Sequence, residues 1–146
     1  MAHHPRPAAI PALGSIAMPQ PTSRLILRTA AILGATAVIF GAFAAHALRA
    51  RLAPEQLGWW QTGVDYQLAH ALALLIIPAL PLRRPAIPAA LFATGTIIFS
   101  GTLYAMALGF PRWLGAITPV GGLLLIAGWI AIALLASDRW PSDHCH

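Results

Sequence analysis

Four stretches of this chain, at about residues 29–48, 63–82, 87–108 and 114–135, each run for around 20 residues without an Arg, Lys or Glu. A helix of about that length crosses a bilayer core about 30 Å thick. Inside hydrocarbon no water is at hand for backbone N–H and C=O groups, so such stretches must satisfy those groups internally, as α-helices. Composition points to the same solvent. Hydrophobic residues make up 58% of the chain and charged residues 9%, against about 25% charged in an average soluble domain. A water-soluble domain of this size exposes too much of its surface to hide so much apolar area. A disordered chain would be polar and highly charged.

The connections between the four stretches are short, which makes neighbouring helices antiparallel. The expected fold is all-α: an integral membrane up-and-down four-helix bundle over residues 25–136. A Pro-rich tail, read as disordered, covers residues 1–24, and a short tail covers 137–146. Pro5, Pro7, Pro11, Pro19 and Pro21 block regular helix in the first of these. They also argue against an amphipathic transit peptide. Either Met1 or Met18 can serve as the start. His3, His4, His144, Cys145 and His146 sit in the two tails and are not expected to form a metal site. The single cysteine excludes an internal disulfide. Ala45-His46-Ala47 has the form of a signal-peptidase site. The apolar run before it is longer than the roughly 7–15 residues of a signal core, so the first helix is read as uncleaved.

The formal charge is +5, with no lysine. The arginines are scattered between apolar runs rather than gathered on one soluble face, so nucleic acid is not an expected partner. Arginine asymmetry instead sets sidedness. Arg6, Arg24, Arg28, Arg83, Arg84 and Arg139 fall on one side, and Arg49, Arg51 and Arg112 on the other. Both termini are therefore expected in the cytoplasm, with the chain in a plasma membrane.

Helices in lipid approach closely through small residues. Candidates are Ala37, Gly41 and Ala45 in the first stretch, Gly101, Ala105 and Gly109 in the third, and Gly121 and Gly128 in the fourth. Thr118-Pro119-Val120-Gly121-Gly122 predicts a kink or an irregular turn inside the fourth stretch, because proline removes a hydrogen bond and displaces a carbonyl. Trp59, Trp60, Trp113 and Trp140 lie near predicted helix ends and read as an aromatic belt. Trp129 lies deeper and reads as packed.

Polar side chains are costly in hydrocarbon, so they mark where function is sought. At a rise of about 1.5 Å per residue, His46, Tyr66, His70, Ser100, Tyr104 and Thr118 fall about 3–12 Å from the predicted outer ends of their stretches. Four helices thus place polar groups in one outer half. Tyr66 and His70 are i, i+4 neighbours with Gln67 adjoining, and Thr96, Ser100 and Tyr104 form a stripe. Two readings follow. One is a hydrogen-bond network that holds the helices in register. The other is a small outward-facing pocket for a proton, an ion, a lipid headgroup or another ligand. Two histidines without an acid at their depth are too few for a metal site. Ser100 with His70 as base lacks the strand-to-helix turn that exposes a nucleophile. No catalytic residue and no cofactor is therefore expected.

Four ordered blocks carry a resemblance. They are Gly41-Ala42-Phe43-Ala44-Ala45-His46-Ala47-Leu48; Trp60-Gln61-Thr62-Gly63-Val64-Asp65-Tyr66-Gln67 running on to His70-Ala71-Leu72; Phe99-Ser100-Gly101-Thr102-Leu103-Tyr104; and Ile117-Thr118-Pro119-Val120-Gly121-Gly122 with Gly128-Trp129. Over about residues 25–135 the chain resembles the YgdD/YwdK-like family of small bacterial inner-membrane proteins, which has a eukaryotic transmembrane counterpart. The resemblance implies four spans and supplies no activity. Ala44 departs from a glycine frequent in that family, and no role carries over to Asp65. The functional expectation is a non-enzymatic membrane module that associates with lipid, with itself or with other membrane proteins. The alternatives are a small transporter or proton-conducting element, and a membrane-embedded enzyme.

Overall fold

The computed structural model describes residues 21–137, and these form four long helices. The helix α1 spans Pro21–Phe43 and runs into a π-helical turn, Ala44–Leu48. Next, α2 spans Pro54–Ile76 and ends in a 3₁₀ turn, Ile77–Ala79. The third helix, α3, spans Ala86–Ala107. A 3₁₀ segment, Arg112–Ala116, then leads into α4, Thr118–Leu135. The expected metal-free histidine tails, Met18, Trp140 and most of both terminal tails lie outside the described residues.

The helices pack in chain order. α3 sits between α2 and α4, and α1 runs along α2. α1 and α4 share at most a marginal contact, and α1 meets α3 only slightly. A short antiparallel bridge, Leu82 with Ala136, ties the α2–α3 connection to the end of α4 through Arg83 N–H to Leu135 O (3.1 Å) and Ser137 N–H to Pro81 O (2.9 Å).

The structure moves several expected boundaries. α1 is already helical at Pro21, the first described residue, ahead of the expected start near residue 29. α2 begins at Pro54, because proline suits the first turn of a helix, where its missing N–H is not needed, and Gln56 Oε1 accepts the Ala53 N–H at 3.1 Å. The expected stretch at 63–82 had marked only the apolar part of α2 and the segment beyond it. Within the fourth stretch the irregularity is a turn at its start and not a kink inside α4. Pro119 falls in the first turn of α4, and the irregular backbone precedes the helix as the 3₁₀ segment.

The segments Pro21–Leu48, Ala86–Ala107 and Arg112–Leu135 are each long and apolar enough to cross a membrane. α2 is the polar helix of the set, with Glu55, Gln56, Gln61, Asp65, Gln67 and His70. Two apolar clusters are buried. One gathers Ile26, Leu74, Ile77, Phe92 and Leu125 with small residues. The other gathers Leu48, Trp60, Val64 and Tyr104. Gln67, His70, Thr96 and Ser100 are the buried polar residues among those described. They occupy the middle turns of α2 and α3, between the two clusters.

Small residues set the closest approaches. A side-chain carbon at Gly121 would lie 2.5 Å from the Phe99 backbone nitrogen, and one at Gly128 would lie 2.5 Å from the Phe92 ring. At Gly95 it would meet Leu125 at 2.8 Å, and at Gly63 the Tyr104 ring at 2.7 Å. Gly41 faces Val64 and Gly122 faces Phe99 at ordinary contact distance. Gly101 does not serve the packing role expected of it, since it is exposed and a Cβ there meets nothing. The face of α3 that approaches α4 passes through Gly95 instead.

Candidate functional site

Gly63 lacks a side chain, so the Tyr104 ring lies directly over this turn of α2. One turn further along α2 stands Gln67. Tyr104 Oη donates to Gln67 Oε1 at 2.9 Å. Gln67 Nε2 donates to Leu33 O at 2.9 Å and to Thr36 Oγ1 at 2.7 Å, both on α1. Gln67 thus joins α1, α2 and α3, with both amide ends engaged.

Around the tyrosine lies an aromatic group. Trp60 packs 4.7 Å from Tyr104 and 5.5 Å from Phe40, centroid to centroid, and Phe40 lies 5.0 Å from Tyr104. Trp60 Nε1 donates to Phe40 O at 3.0 Å. Trp60 is therefore a buried strut between α1 and α2 and not part of an interfacial belt. Buried indole needs both apolar contact and a partner for its N–H, and this site provides both.

His70 belongs to a second arrangement. Its Nδ1 lies 2.8 Å from Tyr66 O, and Trp129 Nε1 donates to its Nε2 at 3.4 Å. An Nε2 that accepts leaves the ring proton on Nδ1, which then donates to Tyr66 O. Phe92 packs against both His70 (5.4 Å) and Trp129 (5.1 Å). Trp129, expected to be packed, is 53% exposed and shows one face on the outside of α4. Tyr66 is also exposed, its ring tilted against Phe99 at 4.4 Å between centroids.

The remaining candidates separate. His46 is exposed on the π-helical turn and joins none of these contacts. Counting depth alone had grouped it with the others, without regard to the direction its turn faces. Thr118 Oγ1 lies 2.8 Å from Thr102 Oγ1 and so fastens the start of α4 to α3, apart from Gln67 and His70. Along α2, Gln67 and His70 sit past the helix midpoint, so depths counted from an end at residue 63 do not apply to them. Thr96 and Ser100 are each 1% exposed, and neither hydroxyl has a hydrogen-bond partner. On α3 they occupy the two turns between Phe92, which touches His70, and Tyr104.

Reading the sequence missed Thr36, the Leu33 carbonyl and the two indole donors. Thr36 was legible as a hydroxyl within an apolar stretch, the same signal that singled out Ser100. Among the described residues, no three of His, Cys, Asp or Glu gather as a metal site. Ser100 makes no hydrogen bond to His70, and both ring nitrogens of His70 are engaged elsewhere. A serine nucleophile needs a base within hydrogen-bond reach. At the α2 end of the molecule, Arg112 pairs with Glu55 at 3.0 Å and lies over the Trp59 ring at 5.5 Å, with both charges exposed.

Residues 40–122 match the family described as "Protein of unknown function (DUF423)". The chain belongs to the DUF423 family. The match takes in His46, Gln67, His70, Ser100, Tyr104 and Thr118. Curated relatives agree. The UPF0382 inner membrane protein YgdD of Escherichia coli (strain K12) is 42% identical over 122 residues, covering 81% of this chain and 92% of its own. The UPF0382 membrane protein YwdK of Bacillus subtilis (strain 168) is 38% identical over 105 residues, covering 68% and 85%. A UPF0382 membrane protein of Haemophilus influenzae is 37% identical over 110 residues, covering 73% and 89%. No solved structure matches. The relatives are named membrane proteins, and three helices here are apolar enough to cross a bilayer. This DUF423 chain is accordingly a helical membrane protein, and the bacterial inner membrane is the location these findings support.

Proposed function

We propose that this protein is a non-enzymatic membrane module whose buried polar residues hold its helices in register and whose outer apolar faces meet lipid or other membrane proteins. The observation that carries this reading is the engagement of Gln67. Its carbonyl and amide ends are taken up by Tyr104, Thr36 and Leu33, so the side chain bridges three helices and offers no free group to a substrate. α2 crosses the bilayer with the other three, with Gln67 and His70 sheltered between helices and Asp65 exposed at its midpoint. Both termini face the cytoplasm, following the arginine asymmetry. Reconstitution tests the reading. Vesicles carrying the wild-type protein and a pH-sensitive dye should dissipate an imposed proton gradient no faster than protein-free vesicles.

A second reading, a proton-conducting element, is favoured by Thr96 and Ser100. Their hydroxyls are buried without partners on the turns between the neighbours of His70 and Gln67. It predicts a proton flux that falls on His70→Leu while the variant keeps its helical content. Such a result replaces the module reading.

A further inference from the structure

α1 packs along α2 and touches α3 only slightly. A groove of about 280 Å³ is left between the first turns of α1 and those of α3. Leu25, Ile26, Ala89, Ala90 and Ala93 line it, and Leu74 of α2 forms its floor. Ala86 to Ala93 spans about 10 Å along α3 at the helical rise, so the groove has the length of part of an acyl chain. Leu25 is 67% exposed and Ala90 is exposed, so the groove opens sideways, toward hydrocarbon.

Beside it lies a second concavity, formed by Pro21, Arg24, Leu25 and Arg28. Leu25 lines both, so the polar hollow and the apolar groove adjoin at this side chain. Arg24 and Arg28 are i, i+4 neighbours whose like charges repel unless an anion sits with them. Neither has an ion-pair partner among the described residues, where the salt bridge is Arg112 with Glu55. Arg83 and Arg84 lie in the connection that leads into Ala86 and add charge to the same end.

We infer that this end of the molecule binds an anionic phospholipid, with the phosphate held by Arg24 and Arg28 and one acyl chain laid in the α1–α3 groove. Guanidinium groups grip phosphate oxygens in pairs. An apolar trough alone accepts the chains of any lipid, so the arginines confer the preference for net negative charge. The site goes beyond the module reading and stands whether or not the protein conducts protons.

Native mass spectrometry of the full chain released from detergent tests it, with phosphatidylglycerol and phosphatidylcholine of identical acyl chains as probes. Phosphatidylglycerol should be retained about tenfold better, because basic side chains at the surface attract anionic headgroups. Arg24→Gln with Arg28→Gln should bring the two lipids to within about twofold of each other by removing that attraction. Ala90→Phe should fill the groove and lower retention of both lipids. Arg112→Gln, at the other end, should leave the preference unchanged. Far-UV circular dichroism checks that each variant stays helical. Equal retention of the two lipids by the wild-type protein overturns the inference. So does a preference that survives the double glutamine variant. Displacement of phosphatidylglycerol by an equal concentration of soluble glycerol phosphate also overturns it, because that outcome assigns the site to a free phosphate compound.

Discussion

Tyr104 Oη donates to Gln67 Oε1 at 2.9 Å across 37 residues of chain, with its ring lying over Gly63 one turn before Gln67. The pair fixes the register of α3 on α2, and Gln67 extends the link to Thr36 on α1. Tyr104→Phe keeps the ring and leaves a buried carbonyl oxygen unpaired. An unmade buried hydrogen bond costs about 1–3 kcal/mol, and membrane helices show the lower part of such ranges. Tyr104→Phe should therefore lower unfolding stability in detergent by about 1–2 kcal/mol. Gln67→Leu should cost more, since it strips partners from Tyr104 and Leu33 together. Once Gln67→Leu is in place, Tyr104→Phe should have little added effect. Strict additivity in this double-mutant cycle would show that the two residues do not act as a pair.

The fold was legible because lipid leaves a strong mark on sequence. The four apolar stretches announce the helices, and α3 follows its expected stretch to within a residue at each end. α2 was displaced because counting apolar residues reports contact with lipid, and this helix lies largely between α1 and α3. Its Pro54 start is a local signal that the apolar count overlooks. The polar residues were legible as a set but not as partners. Gln67 and Tyr104 meet only because Gly63 admits the ring. Thr36 escaped notice because a threonine in a helix usually bonds its own backbone, and Thr36 does that too, reaching Ile32 O at 2.8 Å. His46 was grouped with the others because no pattern in the sequence foretells a π-helical turn.

Glycine positions separate two kinds of small residue. At Gly121 an added carbon meets the backbone of Phe99 at 2.5 Å, and backbone cannot turn aside as a side chain can. Gly121→Ala should push α4 from α3 and cost about 1–3 kcal/mol, the usual range for overpacking. Gly101→Ala meets nothing. It should be neutral or stabilise α3 by up to about 1 kcal/mol, since alanine is the better helix former. Thermal unfolding followed by tryptophan fluorescence distinguishes them. Equal effects of the two substitutions would contradict the close approach of α4 to Phe99.

His70 should hold one tautomer. Trp129 donates to Nε2 and Tyr66 O accepts from Nδ1, so the ring proton resides on Nδ1. Nitrogen NMR of histidine-labelled protein in micelles reads this directly, with His70→Leu identifying the signal. Trp129→Phe should keep the contact with Phe92 and release Nε2, so that the tautomer preference weakens. A His70 signal with its proton on Nε2 in the wild-type protein rules out the Trp129 bond.

Thr96 and Ser100 offer the sharpest contrast between the module and the conduction readings. A buried hydroxyl without a partner costs desolvation with no compensating bond. Thr96→Val replaces the hydroxyl with a methyl group of similar size, and Ser100→Ala removes it. If these groups only pack, both variants should match or exceed the wild-type unfolding stability, by up to about 1 kcal/mol. If they hold a polar path open, each should lower stability or slow a proton flux, because a partner for the hydroxyl is then lost. Gln67→Leu serves as the reference, since it breaks bonds that the structure contains. Stability that falls as far in Ser100→Ala as in Gln67→Leu refutes the packing role for Ser100.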